Sequence, residues 1–373
     1  MKNYLSISLR TLLTCCLITL ITDGFAQRME WKADALVYMD NQRFDIAPMA
    51  TNDAFLGVRI SPEIGLSWDK GTHRFMVGTH LQKDFTTKRF LDYYHFTAYY
   101  ELRTKQKNIQ NRLLFGSFPR KNLLKNYSGL FFGDAVHYFR PNMNGLFWQL
   151  GGKNNHINVW VDWVGMTDFN YKDNFLIGLS GEQQWKWLFI DLQAYSYFYY
   201  QQEGLPKPVL EQDLQAKASI GIDFSNAFKQ LKQMRFSVGA MGGYQQTSGN
   251  FSGAYYPIGL VMDLHAEFWY VGTRTTFYYG KPFYQAYDHQ RIQWANPFLY
   301  GPLYLETQWY VPIFRNQLIN AEASATFHIA NGKCYYQQQM SLSINLDRDK
   351  LPLKNHFSKR KKQKKASSTD VEE

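Results

Sequence analysis

Period-two alternation over unusually long stretches constrains this chain more than any other feature. In Leu56-Gly-Val-Arg-Ile-Ser-Pro-Glu-Ile-Gly-Leu-Ser-Trp68 the even positions are Leu, Val, Ile, Pro, Ile, Leu and Trp, and the odd positions are Gly57, Arg59, Ser61, Glu63, Gly65 and Ser67. Successive side chains of a strand point to opposite faces, so one face of this segment is apolar and the other polar. Leu214 to Phe224 alternates throughout, and Leu318 to Ile329 sets Ile319, Ala321, Ala323, Ala325, Phe327 and Ile329 against Asn320, Glu322, Ser324, Thr326 and His328. Strands of water-soluble sheets are usually about 5–6 residues long. A strand that crosses a bilayer needs about 9–11, and these segments have that length.

Segments of this kind recur from residues 30–39 to 333–346. They predict an all-β fold: a transmembrane antiparallel up-and-down β-barrel of about 16 strands, with 14 or 18 as alternatives. Connections alternate between short (Asp69 to Thr72, Gly152 to Asn155, the Trp185 region) and long (40–53, 119–144, 199–212, 244–253, 280–300). Short periplasmic turns and long extracellular loops are the pattern of such barrels, and an even strand number puts both termini in the periplasm.

Three domains are expected: a signal peptide over 1–26, the barrel over 27–347 and a basic tail over 348–373. Lys2 and Arg10 precede the apolar run Thr11 to Ile21, and Gly24-Phe25-Ala26 offers small residues for cleavage before Gln27. Thr14 is bulky for the position before a lipid-modified cysteine, which argues against acylation at Cys15 or Cys16. Cleavage leaves Cys334 as the only cysteine and excludes an intrachain disulfide. Aromatic residues make up 17% of the chain, yet the mean hydropathy is −0.41. A barrel with a greasy outside, a wet inside and aromatic girdles accounts for both. Of the net charge of +10, residues 1–26 carry +1 and 354–373 carry +4, so the barrel is only mildly basic and nucleic-acid binding is not indicated. Lys359-Arg-Lys-Lys-Gln-Lys-Lys365 reads as a solvated periplasmic tail. Its alternative role is contact with peptidoglycan, anionic lipid or an acidic partner.

The alternation assigns Arg59, Glu63, Arg74, His80, Glu101, Arg103, Arg112, Asp162, Asp191, Lys217, Asp223, Arg235, Arg274, Glu306 and Glu322 to the inner face. Their signs are mixed, so no single-sign selectivity ring is expected. The segment Phe118 to Asn144 contains no evident strand and mixes Arg120, Lys121, Lys125 and Arg140 with aromatics. Either it folds into the lumen and narrows it, or it packs outside as an external loop. Arg120, Lys121, Lys125, Arg140, Arg59, Arg74, Arg112, Arg274, Glu306 and Glu322 are therefore the candidates for the pore lining and constriction. Tyr195, Tyr197 and Tyr304 are candidates for stacking on a ligand, and Tyr199, Trp160, Tyr270 and Tyr278 share the inward phase. Ser128, Asp134 and His137 share one loop, but closeness in sequence is poor grounds for a triad. No phosphate loop, His-Glu-x-x-His or Gly-x-Ser-x-Gly motif is present. No outward histidine sits beside an outward serine, and no metal or cofactor is expected.

Over residues 28–347 the chain resembles the outer-membrane porin-like β-barrels, in particular the Tyr- and Asn-rich barrels of the Bacteroidota. The resemblance is architectural and carries no functional residues with it. One feature departs from it: such barrels end on a strand with a terminal aromatic, whereas here a tail follows Leu346. The resemblance implies a cell outer-membrane location, contact with outer-membrane lipids and lipopolysaccharide, and dealings with the barrel insertion machinery. The expected function is a non-enzymatic channel for passive or weakly selective passage of small hydrophilic solutes. The alternatives are a barrel component of polysaccharide export or binding or of a surface complex, and an outer-membrane lipid-modifying enzyme. Oligomeric state is not legible.

Overall fold

The computed structural model describes residues 27–45, 52–107, 109–121, 123, 127–133, 135–152, 155–164, 174–198, 210–225, 227–247, 253–283 and 296–348. The expected signal segment, the tail beyond residue 348, Lys125, Asp134 and Tyr199 lie outside the described residues. So does the side chain of His137.

Seventeen strand segments form one antiparallel sheet. They are β1 (Arg28–Arg43), β2 (Asp53–Trp68), β3 (His73–Asp84), β4 (Tyr93–Gln106), β5 (Ile109–Pro119), β6 (Asn142–Gly151), β7 (Asn155–Trp163), β8 (Phe175–Trp185), β9 (Leu188–Phe198), β10 (Leu210–Asp223), β11 (Leu231–Thr247), β12 (Gly253–Tyr255), β13 (Ile258–Phe268), β14 (Val271–Gly280), β15 (Leu303–Arg315), β16 (Ile319–Ala330) and β17 (Lys333–Asp347). β12 and β13 both pair with β11 and share one place in the wall, interrupted at Pro257. The wall thus has sixteen positions. β1 closes it, pairing with β2 on one side (Ala35↔Ile60) and β17 on the other (Ala35↔Ile344). Closure leaves no sheet edge, which lets an extended backbone sit in hydrocarbon with its N–H and C=O groups satisfied. Among the described residues no helix is long and apolar enough to cross a membrane. The molecule is an outer-membrane barrel that crosses with strands.

Register confirms the two faces. On β2 the inward Arg59, Ser61, Glu63 and Ser67 are buried, while Leu56, Ile60, Ile64 and Leu66 face outward. The outer face carries Phe75, Val77, Phe115, Leu192, Ile220, Trp309 and Leu342, which lipid covers in place of protein. Tight turns close one end: Lys107, Lys186 and Trp269 each take positive φ there. Longer connections occupy the other end, with one exception. Asn331-Gly332 joins β16 to β17 with φ of 51° and 74°, the backbone of a two-residue hairpin turn, which asparagine and glycine tolerate best. Tyr270, read as inward from sequence, lies exposed in the β13–β14 turn. A two-residue turn breaks the strand phase there, so alternation cannot be carried through it.

The wall does not fill its own interior. A sixteen-strand barrel is too wide for inward side chains to meet across it, and the long-loop end is filled by chain from the connections. The described residues of the β5–β6 connection, 120–121, 123, 127–133 and 135–141, run inside and include a short helix α1 (Ala135–Phe139). Leu123, Leu130, Phe131, Phe132, Val136 and Tyr138 are buried against the wall residues Phe118, Phe147, Trp160 and Tyr195. Phe283, Phe298 and Leu299 of the β14–β15 connection complete this aromatic plug.

Gly178 on β8 shows how tightly the plug seat is built. It pairs with Trp160 on β7, and a Cβ at that position would stand 2.0 Å from the indole. The indole Nε1 in turn donates to the Tyr127 hydroxyl of the plug at 3.1 Å. Gly178→Val should therefore lower stability by about 1–3 kcal/mol through overpacking. The check is the midpoint of heat unfolding, read by the gel-mobility shift of the folded barrel. An unchanged midpoint would contradict this packing.

Candidate functional site

The inner wall divides into two zones. Towards the tight turns it is a set of paired charges. Glu101 Oε1 takes Arg103 Nε and Arg112 Nε, each at 2.7 Å. Lys217 Nζ lies 2.6 Å from Asp263 and 3.7 Å from Asp191. Arg235 pairs with Glu182 at 2.8 Å, and Arg274 with Glu322 at 3.0 Å. Arg274 also lies over the Tyr310 ring at 3.9 Å. Charges in a confined interior persist only when paired or hydrated. Arg112, Arg274 and Glu322, expected on the pore lining, belong to these wall pairs. Arg74 stands opposite Glu101 across β3 and β4.

Towards the long loops the wall is covered by the plug. Arg120 is buried and binds Asp162 of β7 through Nη2; the same nitrogen donates to the Asn142 carbonyl at 2.8 Å, and Nε donates to the Arg140 carbonyl at 3.0 Å. Lys121 reaches Asn345 and lies 3.8 Å from Asp34. Arg59 Nη1 donates to the Tyr138 carbonyl at 3.2 Å, and Tyr138 stacks on Tyr38 at 4.6 Å. Tyr195 is stacked by Phe132 at 5.3 Å, and Tyr304 by Phe298 at 5.5 Å. The Tyr304 hydroxyl donates to Glu306 at 2.6 Å. Tyr197 is buried in the same aromatic cluster. The faces of Tyr195 and Tyr304 thus meet plug rings.

Beneath this cover lies a group that can do chemistry. Ser61 on β2 and His80 on β3 are both buried, and Ser61 Oγ is 2.5 Å from His80 Nδ1. The Asn142 side chain, at the start of β6, neighbours the His80 ring. Its Nδ2 donates to the Phe96 carbonyl at 3.0 Å, which aims Oδ1 away from that strand. The two atoms here with no partner among the described residues are His80 Nε2 and Asn142 Oδ1. A proton on Nε2 suits Oδ1 as its acceptor and leaves Nδ1 as a base towards the Ser61 hydroxyl. Ser61 and His80 are thus paired as nucleophile and base, and Asn142 lies beside the ring without a hydrogen bond to it. Arg59 and Lys121 are the cationic neighbours of the ring, and the His95 imidazole also lies near it. No group of three or more metal-ligating side chains is assembled among the described residues.

The sequence contained the signal for this contact. Ser61 lies seven residues before Trp68 and His80 seven after His73, and Trp68 pairs with His73 across the turn. The two are therefore cross-strand neighbours on the inner face.

Comparison with known proteins bears on the same question. Residues 22–350 match the family model described as Lipid A 3'-O-deacylase-type. The chain belongs to the lipid A 3'-O-deacylase-type family. Membership overturns the expectation of a non-enzymatic barrel without catalytic residues. That expectation rested on the lack of a local motif, and register between strands brings Ser61 and His80 together without one. A Ser–His pair was expected, if anywhere, on the outer wall, whereas Ser61 and His80 face inward. Comparison with curated proteins gave no match. Among solved structures the chain is similar to the outer membrane protein OprD of Pseudomonas aeruginosa, at 10% identity over 87% of this chain and 95% of that one, TM-score 0.49. It is also similar to opdK of the same organism, at 10% identity over 86% and 99%, TM-score 0.45.

The Arg120–Asp162 pair fixes the plug to the wall, with side-chain exposures of 5% and 1%. Arg120→Met should cost about 3–5 kcal/mol by leaving a buried carboxylate uncompensated. Adding Asp162→Asn should recover part of it, because the amide oxygen can still accept from Asn144 N. Unfolding midpoints of the two variants give the test.

Proposed function

We propose that this protein is an outer-membrane hydrolase that cleaves an ester-linked acyl chain from a lipid A-type glycolipid. The observation that carries the reading is the 2.5 Å contact between Ser61 Oγ and His80 Nδ1 on the inner wall, and family membership supports the substrate class. In the reaction Ser61 Oγ attacks the ester carbonyl carbon while His80 Nδ1 takes the hydroxyl proton. The bond to the sugar oxygen breaks, and that oxygen leaves with the proton from His80. Water, deprotonated by the same nitrogen, then releases the fatty acid from Ser61. Asn142 Oδ1, unpartnered beside the ring, is the acceptor that a proton on Nε2 would take as substrate binds. The cations Arg59 and Lys121 suit an anionic headgroup and stabilise the negative charge that develops on the carbonyl oxygen. The barrel sits with its tight turns and both of its terminal strand ends towards the periplasm, and its long loops towards the outer leaflet.

A second reading, passage of small hydrophilic solutes, is favoured by the charged inner wall between the plug and the tight turns. The two separate in one set of measurements on the full chain. Ser61→Ala and His80→Asn should each lower release of fatty acid from an acylated, phosphorylated glycolipid by about 10³-fold or more. Asn142→Ala should lower it less. Hydrolysis that survives Ser61→Ala, together with steady single-channel conductance in planar bilayers, would favour the channel.

A further inference from the structure

The connection between β3 and β4 forms a built loop at the long-loop rim, directly above the strand that carries His80. Its acids are spent internally. Asp84 Oδ1 accepts from Thr86 N at 2.9 Å and Thr86 Oγ1 at 2.6 Å. Asp92 accepts from Asp84 N at 2.6 Å, Lys83 Nζ at 3.2 Å and Thr87 Oγ1 at 2.5 Å. The Thr87 hydrogen bond is the largest cause holding the Asp92 carboxyl below the usual carboxylate range. Lys83 is also spent, donating to Thr87 Oγ1 at 2.8 Å. Phe85 N donates to Leu56 O at 2.8 Å and ties the loop to β2.

Two cations are left over. Lys88 and Arg89 are exposed at the tip and have no hydrogen-bond or ion-pair partner among the described residues. Phe85 and Phe90 flank them, Phe90 being 95% exposed. Below the loop the lipid-facing side of β4 continues with Tyr94 and Phe96, 68% and 72% exposed. A phenylalanine held that far out at a rim is satisfied by acyl chains rather than water, and an exposed aromatic run marks a binding surface. Adjacent Lys and Arg side chains without acids of their own match phosphate oxygens.

We infer that Lys88, Arg89 and the ramp Phe85, Phe90, Tyr94 and Phe96 dock the phosphorylated headgroup and acyl chains of an outer-leaflet glycolipid before it reaches Ser61. Delivery to Ser61 rests on the hydrolase reading; docking itself does not. The phosphate sits at the loop tip, the chains lie along β4, and the ester is presented beside the wall that holds the Ser–His pair.

The test uses the full chain in nanodiscs with the Ser61→Ala substitution, so that bound glycolipid is not consumed. Binding of a bis-phosphorylated acyl glycolipid, its dephosphorylated form and phosphatidylglycerol is measured with Lys88→Gln/Arg89→Gln and with Phe90→Ser. All substituted side chains are exposed, and retention of the folded gel mobility confirms intact barrels. Loss of the two cations should weaken binding of the phosphorylated glycolipid by about 10- to 30-fold and leave the dephosphorylated form unchanged. Phe90→Ser should weaken both forms. Equal loss for the two forms, no loss, or phosphatidylglycerol bound as tightly as the glycolipid would overturn the docking site. Turnover by the chain with Ser61 intact reads the other claim: docking without hydrolysis sinks the hydrolase reading and leaves this one standing.

Discussion

The need to hydrogen-bond an extended backbone inside hydrocarbon governs the rest of this molecule. Water cannot satisfy an exposed N–H there, so the sheet must have no edge. β1 meets that demand by pairing along most of its length with β2 and β17 at once. Once the sheet is closed, the side chains have only two environments. The outward residues meet lipid and are apolar. The inward residues meet one another, water or inserted chain, and carry nearly all of the charge.

Closure at sixteen positions creates a second problem, an interior that the wall cannot fill. The described residues of the β5–β6 connection answer it at the long-loop end with aromatic rings and one buried ion pair. The plug is specific rather than greasy filler. The Trp160 indole takes the space that Gly178 leaves and donates to the Tyr127 hydroxyl, Ser128 N donates to Gln193 Oε1 at 2.7 Å, and Asn296 Nδ2 donates to the Gly129 carbonyl at 2.9 Å. Such contacts fix one arrangement of the plug, and with it the surroundings of His80. Asn142 and Arg120 belong to the chain that leaves and re-enters the wall at the plug's two ends, so the plug's anchoring and the surroundings of the imidazole share residues.

How much was legible can be read from particular residues. Alternation placed Ser61 and His80 on the inner face correctly, because on β2 and β3 it runs unbroken to the turn. Their contact needed one more step, counting outward from Trp68 and His73, and a search for local catalytic motifs does not take that step. Tyr270 was misplaced because alternation was extended through a turn. Sequence left the β5–β6 connection open between the lumen and the outside, since the choice depends on contacts such as Tyr127 to the carbonyls of Leu179 and Ala194, far away in sequence and set only by barrel closure. The basic residues of that segment looked like a pore lining. Arg120 is instead committed to Asp162, which a composition of cations among aromatics does not distinguish from a constriction.

A barrel wall is compatible with transport and with catalysis, so the fold leaves the choice open and the site must make it. The inner face is where a serine and a histidine can work. On the outer face a hydroxyl and an imidazole would sit in hydrocarbon without partners, and a hydrolase also needs water for its second step. Facing inward, Ser61 and His80 have polar neighbours, the cations Arg59 and Lys121, and a charged inner wall on the tight-turn side. On the proposed hydrolase reading the difficulty is one of delivery, because an acyl ester in the outer leaflet starts on the other side of the wall. A surface that gathers the lipid at the rim beside β3 shortens that path, whereas a channel for small solutes would have no use for it. The position of Phe90 and its two neighbouring cations therefore bears on the function as directly as the Ser–His contact does.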